Sequence, residues 1–232
     1  MQNIEEITRR LEAIYGEGVW AARWSAEDEL VACILSQHTS DINSLRAFDS
    51  LKSHYPTWED VIEAPTEELA LTIRAGGLAN SKAPRIQEVL VRIREKEGAV
   101  CLDCLRQMSD PEARDYLMRL PGVGPKTAAI VLCFALNRPV IPVDTHIFRV
   151  SWRLGLVDKR IGEAKAHDVL QSTVPAELVY RFHIALIRHG RTTCKAPTPR
   201  CAECVLTDLC MFYLQSVMPE KRFKIKSNDV QE

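Results

Sequence analysis

The sequence has no long hydrophobic run and few aromatic residues. No stretch of its 232 residues approaches the roughly 18 consecutive apolar residues of a membrane-spanning helix. The amino terminus, Met1-Gln-Asn-Ile-Glu-Glu6, lacks the basic start and the apolar segment of a secretory signal. These absences predict a cytoplasmic protein without a membrane partner, associated with the nucleoid if the source is bacterial. With 46% hydrophobic and 26% charged residues, the chain has the composition of a folded globular protein.

The chain also has almost no net charge, since 30 lysines and arginines face 31 aspartates and glutamates. A net charge of −1 does not by itself indicate a nucleic-acid-binding protein. The charge is uneven, however: residues 1–30 contain three basic and seven acidic residues, whereas residues 184–226 contain eight basic and three acidic ones. The C-terminal region is therefore predicted to be basic, and its last basic stretch, 221–226, is expected to fray.

Strand-like alternation is missing as well, and apolar residues recur at helical spacing. Ile86, Val89, Leu90 and Ile93 would form one face of an amphipathic helix. Residues 125–136 are apolar almost all round, which predicts a buried helix. The pattern predicts an all-α fold.

Eight cysteines are many for a reducing compartment, where they suggest a metal centre more than disulfides. Cys194, Cys201, Cys204 and Cys210 are separated by six, two and five residues. Structural zinc sites usually contain two short cysteine pairs, whereas longer outer spacings suit a [4Fe–4S] cluster, so we favour the cluster and keep zinc as the alternative. The other four cysteines are predicted to be structural: Cys33, Cys101, Cys104 and Cys133.

A proline-containing loop lies between the first two of these cysteines. It runs from Lys195 to Arg200, with a cation near each end. Ligation at Cys194 and Cys201 would hold the loop in place, and a stiff basic loop makes a good phosphate contact. An ordinary solvated loop is the alternative.

Two glycines join a pair of predicted helices in Leu120-Pro-Gly-Val-Gly124. Gly122 and Gly124, with Val123 between them, permit a tight turn whose backbone N–H groups point outward at a helix N-terminus. Such a turn can bind an anion such as a DNA phosphate, although a plain helix–helix connection has the same composition.

Lys126 and Asp144 are candidates for chemistry. Lys126 would lie in the first turn of an apolar helix, where the helix dipole and partial burial disfavour the ammonium form. A neutral amine is what Schiff-base chemistry requires, although a surface lysine at a helix start is also common. Asp144 is predicted to be the N-cap of the helix that begins at Thr145, and its carboxylate could also stabilise positive charge on a sugar.

Three motifs occur in the order in which one known family carries them. The chain reads Leu120-Pro-Gly-Val-Gly-Pro-Lys126-Thr-Ala, then Val143-Asp144-Thr-His146-Ile-Phe-Arg-Val, then His189-Gly-Arg191 before the four cysteines. With these motifs it closely resembles endonuclease III, a family of helix-hairpin-helix DNA glycosylases. The resemblance covers about residues 25–210, including Leu35-Ser-Gln-His-Thr-Ser-Asp41 and Gly77-Leu-Ala-Asn-Ser-Lys82-Ala.

The resemblance implies a bifunctional DNA repair enzyme that excises oxidised pyrimidines and then cleaves the abasic strand as an AP lyase. It implies Lys126 as the nucleophile, Asp144 as its catalytic partner, and a [4Fe–4S] cluster held by Cys194, Cys201, Cys204 and Cys210. The implied partner is double-stranded DNA that contains a damaged base or an abasic site. The enzyme is expected to be a monomer.

The implied architecture consists of two helical lobes. Residues 25–138 would form a six-helix barrel that carries the hairpin. Residues 1–24 and 139–232 would form the iron–sulfur cluster domain.

Two loops depart from the family pattern. In this family a glutamine fills the gap left by the flipped nucleotide, but here Gln37 comes one position early and His38 takes the usual place. Gly76 replaces an expected larger apolar residue, which leaves Leu78 as the candidate wedge. His146 is a candidate for the substrate pocket, with helix packing as its alternative role.

Two other functions compete with this one. An adenine-mismatch glycosylase can have the same scaffold and cysteine spacing, but that family usually lacks the hairpin lysine and has an additional C-terminal domain. A non-catalytic DNA-binding module would need the hairpin and the cluster, but not Lys126 and Asp144.

Overall fold

The computed structural model describes residues 4–217, and all regular secondary structure in that range is helical. The all-α prediction is therefore confirmed. The helices are α1 (Ile4–Tyr15), α2 (Ala26–Ser36), α3 (Asp41–His54), α4 (Trp58–Glu63), α5 (Thr66–Thr72), α6 (Ala79–Glu97), α7 (Asp110–Met118), α8 (Pro125–Ile130), α9 (Thr145–Leu154), α10 (Gly162–Thr173) and α11 (Val179–Thr192). The basic stretch 221–226 lies outside the described residues.

The chain folds as two compact units. The central unit is Ala21–Val140, and the terminal unit comprises the described parts of Met1–Trp20 and Ile141–Glu232. The assignment of 25–138 to an independent barrel domain stays a prediction.

Helix α6 supplies a large part of the core of the central unit. Its predicted apolar face, Ile86, Val89, Leu90 and Ile93, is fully buried, as the helical spacing required. Burying an aliphatic side chain of this size stabilises a fold by about 1.5–3 kcal/mol. The face therefore fixes α6, and with it the loops at the start of α6.

Residues 125–136 form the buried helical segment that their apolar pattern predicts, but its second half is not α-helical. Helix α8 ends at Ile130, and a π-helical turn, Val131–Ala135, continues it. Hydrophobic composition predicted the burial of this segment correctly, since Val131, Leu132 and Cys133 are buried. It does not distinguish an α-turn from a π-turn, because a segment that is apolar on nearly all sides can be buried in either geometry.

The terminal unit brings α1 against the C-terminal part of the chain. Ile7 and Leu11 of α1 are fully buried, as are Phe182 and Leu186 of α11. Arg10 of α1 donates to both carboxylate oxygens of Asp208, at 2.7 and 3.0 Å. Within residues 4–217, no helix is long and apolar enough to cross a membrane.

Candidate active site and cysteine centre

The glycine-rich turn between α7 and α8 has the tight backbone that its composition predicts. Gly122 has φ +71°, and Gly124 is the N-cap of α8. Val123 is buried, and its N–H donates to the carbonyl of Leu120 at 3.2 Å. Val123 thus anchors the turn, while Gly122 is exposed at its surface.

An arginine that the sequence did not single out lies beside this turn. The guanidinium of Arg85, on α6, packs so closely against Gly122 that a Cβ there would collide with it. The Arg85 side chain is 45% exposed and lies 4.0 Å from Glu88. A cation therefore lies beside the proposed phosphate-binding turn, through a contact that is distant in sequence.

Lys126 is the second residue of α8 and is exposed. The expectation of partial burial for Lys126 was therefore wrong. The buried face of α8 is formed by the next three residues, Thr127, Ala128 and Ala129, which point into the core. The apolar character of the segment does not extend to its second position, which lies on the solvent side.

A buried carboxyl group lies on α2 of the same unit. Glu29 is 5% exposed, and burial raises its pKa. The positive charge of Arg23, whose Nη2 lies 3.8 Å from Oε1 of Glu29, reduces this shift. One turn further along α2, burial also raises the pKa of Cys33, with the Glu29 charge adding to the shift and the Lys126 charge opposing it. In the sequence, Glu29 looks like an ordinary acidic residue in the first turn of a helix, and no pattern indicates its burial.

Asp144 is the N-cap of α9, as predicted. Its Oδ1 accepts a hydrogen bond from the backbone N–H of Ile147 at 2.7 Å, and the side chain is half-buried. Nearby, Nδ1 of His146 lies 3.1 Å from Nη2 of Arg149, which in turn donates to the carbonyl of Gly190. His146 is thus part of the contact between α9 and α11, which agrees with its alternative packing role.

Cys194, Cys201, Cys204 and Cys210 line one cavity of the terminal unit. Its wall also includes His189 and Arg153. Nη1 of Arg153 donates to Sγ of Cys194 at 3.3 Å, and Nε2 of His189 lies 3.7 Å from Sγ of Cys204. In the part of the chain that the structure describes, no group of three or more His, Cys, Asp or Glu side chains is arranged to hold a single metal ion.

Burial controls the protonation of this cavity. It raises the pKa of Cys204 to about 11, and the pKa values of Cys201 and Cys210 are also raised. Burial lowers the pKa of His189 to about 4. Burial therefore favours the neutral thiol at Cys201, Cys204 and Cys210 and the neutral imidazole at His189, and a metal centre bound there must displace these thiol protons.

Two arginines of α9 help to hold the loop from Lys195 to Arg200. Arg149 Nε donates to the carbonyl of Cys194 at 3.1 Å, and Arg153 Nη1 donates to the carbonyl of Lys195 at 2.9 Å. Lys195 is half-buried, whereas Arg200 is exposed and lies 3.9 Å from Glu203. These arginine contacts, which no local pattern indicates, add to the prolines and the ligation from which the sequence predicts a stiff loop.

The two loops that depart from the family pattern both contain a strained residue. His38 has φ +55° and Leu78 has φ +49°, in the left-handed region that non-glycine residues seldom occupy. Both side chains are exposed, Leu78 by 59%, whereas Gln37 is half-buried. Gly76 is tightly packed, since a Cβ there would lie 3.1 Å from Cβ of Ala47.

Three comparisons place the chain among known proteins. A putative DNA glycosylase of Arabidopsis thaliana is 40% identical over 173 residues, which are 74% of this chain and 59% of the plant protein. The chain thus spans less than two thirds of that relative. Endonuclease III of Thermotoga maritima is 36% identical over 184 residues, which are 79% of this chain and 82% of that protein.

A solved structure of similar fold is a trapped endonuclease III–DNA covalent intermediate, an estranged-adenine complex. It superimposes with a TM-score of 0.78 and 31% identity over 94% of this chain and all of that chain. The model of the HhH-GPD superfamily of base excision DNA repair proteins matches residues 31–176. By its motifs, its relatives and its fold, the chain belongs to the endonuclease III family within the HhH-GPD superfamily.

Proposed function

We propose that the chain is a bifunctional DNA glycosylase and AP lyase that removes oxidised pyrimidines and then cleaves the abasic strand. The observation that carries this proposal is Lys126, an exposed lysine directly after the Gly122–Gly124 turn. A turn that docks a phosphate brings the sugar of the same strand close to this amine. Membership of the endonuclease III family supports the assignment.

Lys126 would act as the nucleophile. With the damaged nucleotide flipped out of the helix, neutral Nζ attacks C1′ while the bond to the base breaks and the base takes up its electron pair and a proton. Ring opening gives an imine between Nζ and C1′. The imine acidifies the C2′ proton, and its loss expels the 3′ phosphate by β-elimination. Hydrolysis of the remaining imine releases Lys126.

Because Lys126 is exposed in the free protein, bound DNA would also shield its amine from solvent. DNA that covers the turn would exclude water from the amine, so that the attack on C1′ would take place in a site closed to solvent.

Asp144 would stabilise the positive charge that develops on the sugar as the base leaves. Its carboxylate has one oxygen engaged by the backbone of α9, which fixes the direction of the other. A carboxylate held in this way needs no reorganisation when charge develops, which is the condition for effective electrostatic stabilisation.

Several residues would position the DNA. Backbone N–H groups at Gly122 and Gly124 would bind a phosphate, with Arg85 beside them, whereas the N–H of Val123, predicted as a third donor, is already bonded to the carbonyl of Leu120. Lys195 and Arg200 would contact the phosphate backbone from the arginine-held loop. Gln37 or His38 would fill the gap left by the flipped nucleotide, and the exposed Leu78 would act as the wedge. His146 would reach the substrate only if it left its contact with Arg149.

The four cysteines would hold a [4Fe–4S] cluster. Their donor set fits the group: four thiols line one cavity, and Arg153 already donates a hydrogen bond to one of the sulfurs. When bound, the cluster would supply a rigid cross-link between the loops that contain Cys194 to Cys210, which keeps Lys195 and Arg200 in place. The alternative is that the same four cysteines bind a zinc ion.

The test is product analysis on duplex DNA with a single oxidised pyrimidine. The proposal predicts release of the free base and a nicked strand whose 3′ end is an unsaturated aldehyde. Base release without strand cleavage, or activity only on adenine in a mismatch, would support the adenine-mismatch alternative. Tight binding without either product would support a non-catalytic module.

A further inference from the structure

A buried lysine of the central unit connects the two loops that would enter the DNA. Lys82 lies in the first turn of α6 and is 5% exposed. Its Nζ donates to the carbonyl of Leu35 at 2.7 Å and to the carbonyl of Gly76 at 2.8 Å. Lysines are rarely buried to this extent without a charged partner, and here the partners are two backbone oxygens.

The two acceptors explain why a cation is tolerated there. Leu35 is in the last turn of α2, and Gly76 ends the 3₁₀ turn Arg74–Gly76. Carbonyls at a helix C-terminus lack helical donors and carry the negative end of the dipole. A single ammonium group therefore satisfies two such ends at once. Burial lowers the pKa of Lys82, as expected for an amine surrounded by protein.

Each carbonyl lies directly before one of the two loops. Leu35 precedes Gln37 and His38, and Gly76 precedes Leu78 by two residues. His38 and Leu78 are both exposed and both held in left-handed backbone conformations. Such conformations persist when surrounding structure over-determines them, and they concentrate at functional sites.

Gly76 packs against both α2 and α3. A Cβ at Gly76 would lie 3.1 Å from Cβ of Ala47 on α3 and 3.6 Å, an ordinary contact distance, from the carbonyl oxygen of Leu35, which is the other acceptor of Lys82. A larger side chain at this position would have to displace Ala47. Glycine at 76 thus permits the close approach to α2 and α3 beside which Lys82 makes its two hydrogen bonds.

We propose that Lys82 is a positioning residue that holds the Gln37–His38 loop and the Leu78 loop in one fixed arrangement. The residue that fills the gap, Gln37 or His38, and the wedge, Leu78, then enter the duplex together. This inference rests on the proposed function. It predicts that Lys82 matters when a nucleotide must be extruded from a duplex. It does not matter for the attack of Lys126 on a sugar that is already accessible.

The test compares Lys82→Met, which keeps the length of the side chain and removes its charge, with Lys52→Met. Lys52 is a half-buried lysine of the same unit that pairs with Asp28 at 3.1 Å. It lies in the last turn of α3, and Asp28 lies in the first turn of α2, whereas the Gln37–His38 loop joins the other ends of these two helices. Single-turnover excision from a lesion-containing duplex should fall about tenfold or more in Lys82→Met, because misplaced positioning groups cost rate steeply. Borohydride trapping on a single-stranded abasic oligonucleotide should be unchanged. Lys52→Met should behave as the native protein in both assays.

Equal losses on duplex and single-stranded DNA, or no loss on either, would overturn the proposal. Circular dichroism and thermal melting show whether each variant is folded. If Lys82→Met does not fold, the proposal is tested by a double-mutant cycle of Gln37→Ala and Leu78→Ala in the protein with Lys82 intact. Loops held in one arrangement predict non-additive effects on duplex excision, and additive effects would contradict the proposal. A native protein that fails to trap abasic DNA would refute the lyase function instead, whatever Lys82 does.

Discussion

At the scale of single residues, the same side chain can hold the fold and carry the chemistry. Asp144 is the N-cap of α9 through a 2.7 Å hydrogen bond, and it is also the proposed electrostatic partner of the reaction. The two roles need different properties of the side chain. Capping needs an acceptor oxygen, whereas stabilising an oxocarbenium-like sugar needs a negative charge.

Substitutions at Asp144 separate these roles. Asparagine is as good an N-cap as aspartate, so Asp144→Asn should keep the native melting temperature but lose most of the strand cleavage. Asp144→Ala should lose cleavage and also lower the free energy of unfolding by about 1 kcal/mol. Thermal melting and a strand-cleavage assay measure the two effects. Native cleavage rates in Asp144→Asn would remove the charge of Asp144 from the mechanism.

Glu29 makes stability depend on pH in the opposite direction to a salt-bridged carboxylate. Burial raises its pKa above 4.5, against the charge of Arg23 and with a small contribution from Asp28. The folded state therefore holds the proton more tightly than the unfolded state. The free energy of unfolding then falls as the pH rises from 4.5 through the pKa of the folded protein.

Glu29→Gln keeps the shape of the side chain and remains neutral. The variant should melt at a higher temperature than the native protein at about pH 8, and the difference should largely vanish at about pH 4. Thermal melting across this range measures the effect. A difference that does not change with pH would mean that Glu29 is not the titrating group.

At the scale of elements, periodicity and capping patterns predicted what depends on neighbours in the chain. The apolar face of α6, the N-cap of α9 and the glycine turn before α8 follow from local residue order, and all three are present. The π-turn after α8 and the exposure of Lys126 were missed. Hydrophobic composition indicates that a segment is buried, but not which turn geometry it adopts or which single position faces solvent.

Contacts between distant parts of the sequence could not be predicted either, because periodicity and capping patterns report only on neighbours in the chain. The link from Lys82 to Leu35 spans 47 positions, and the link from Arg153 to Lys195 spans 42. Arg85 beside Gly122 belongs to the same class. Each is a cation whose partner lies far away in the sequence, so no local pattern indicates the contact.

The Arg85 contact can be tested against a matched residue on the same helix. Arg85 and Arg92 both lie 4.0 Å from Glu88, but Arg85 is the one that packs on Gly122. Arg85→Ala should weaken binding to duplex DNA and reduce the slope of log affinity against log salt by about one. Arg92→Ala should leave both unchanged. Identical salt slopes for the two variants would exclude Arg85 from the phosphate contact.

At the scale of the whole molecule, the average charge conceals how the chain would bind DNA. A net charge of −1 gives no general attraction to a polyanion. The proposed contacts are local: backbone N–H groups at the turn, Arg85 beside it, and the Lys195–Arg200 loop held by α9. Binding of this kind depends on the correct folding of a few short segments rather than on total charge.

The segment from Cys194 to Cys210 is the part of the chain whose folding should depend on a cofactor. Protein purified without oxygen should be brown and contain iron and sulfide in equal amounts. Removing the iron should lower the melting temperature and the affinity for DNA, because the Lys195–Arg200 loop would lose its anchors at Cys194 and Cys201. A colourless, fully active protein with stoichiometric zinc would contradict the assignment.

The central claim is that Lys126 forms a covalent imine with abasic DNA, and borohydride trapping tests it most directly. Native protein incubated with duplex DNA that contains an abasic site, then reduced, should give a stable protein–DNA adduct. The adduct should vanish in Lys126→Ala, while the exposed position of this side chain predicts that the variant folds normally and still binds DNA. Absence of an adduct with the native protein, or its persistence in Lys126→Ala, would contradict the account.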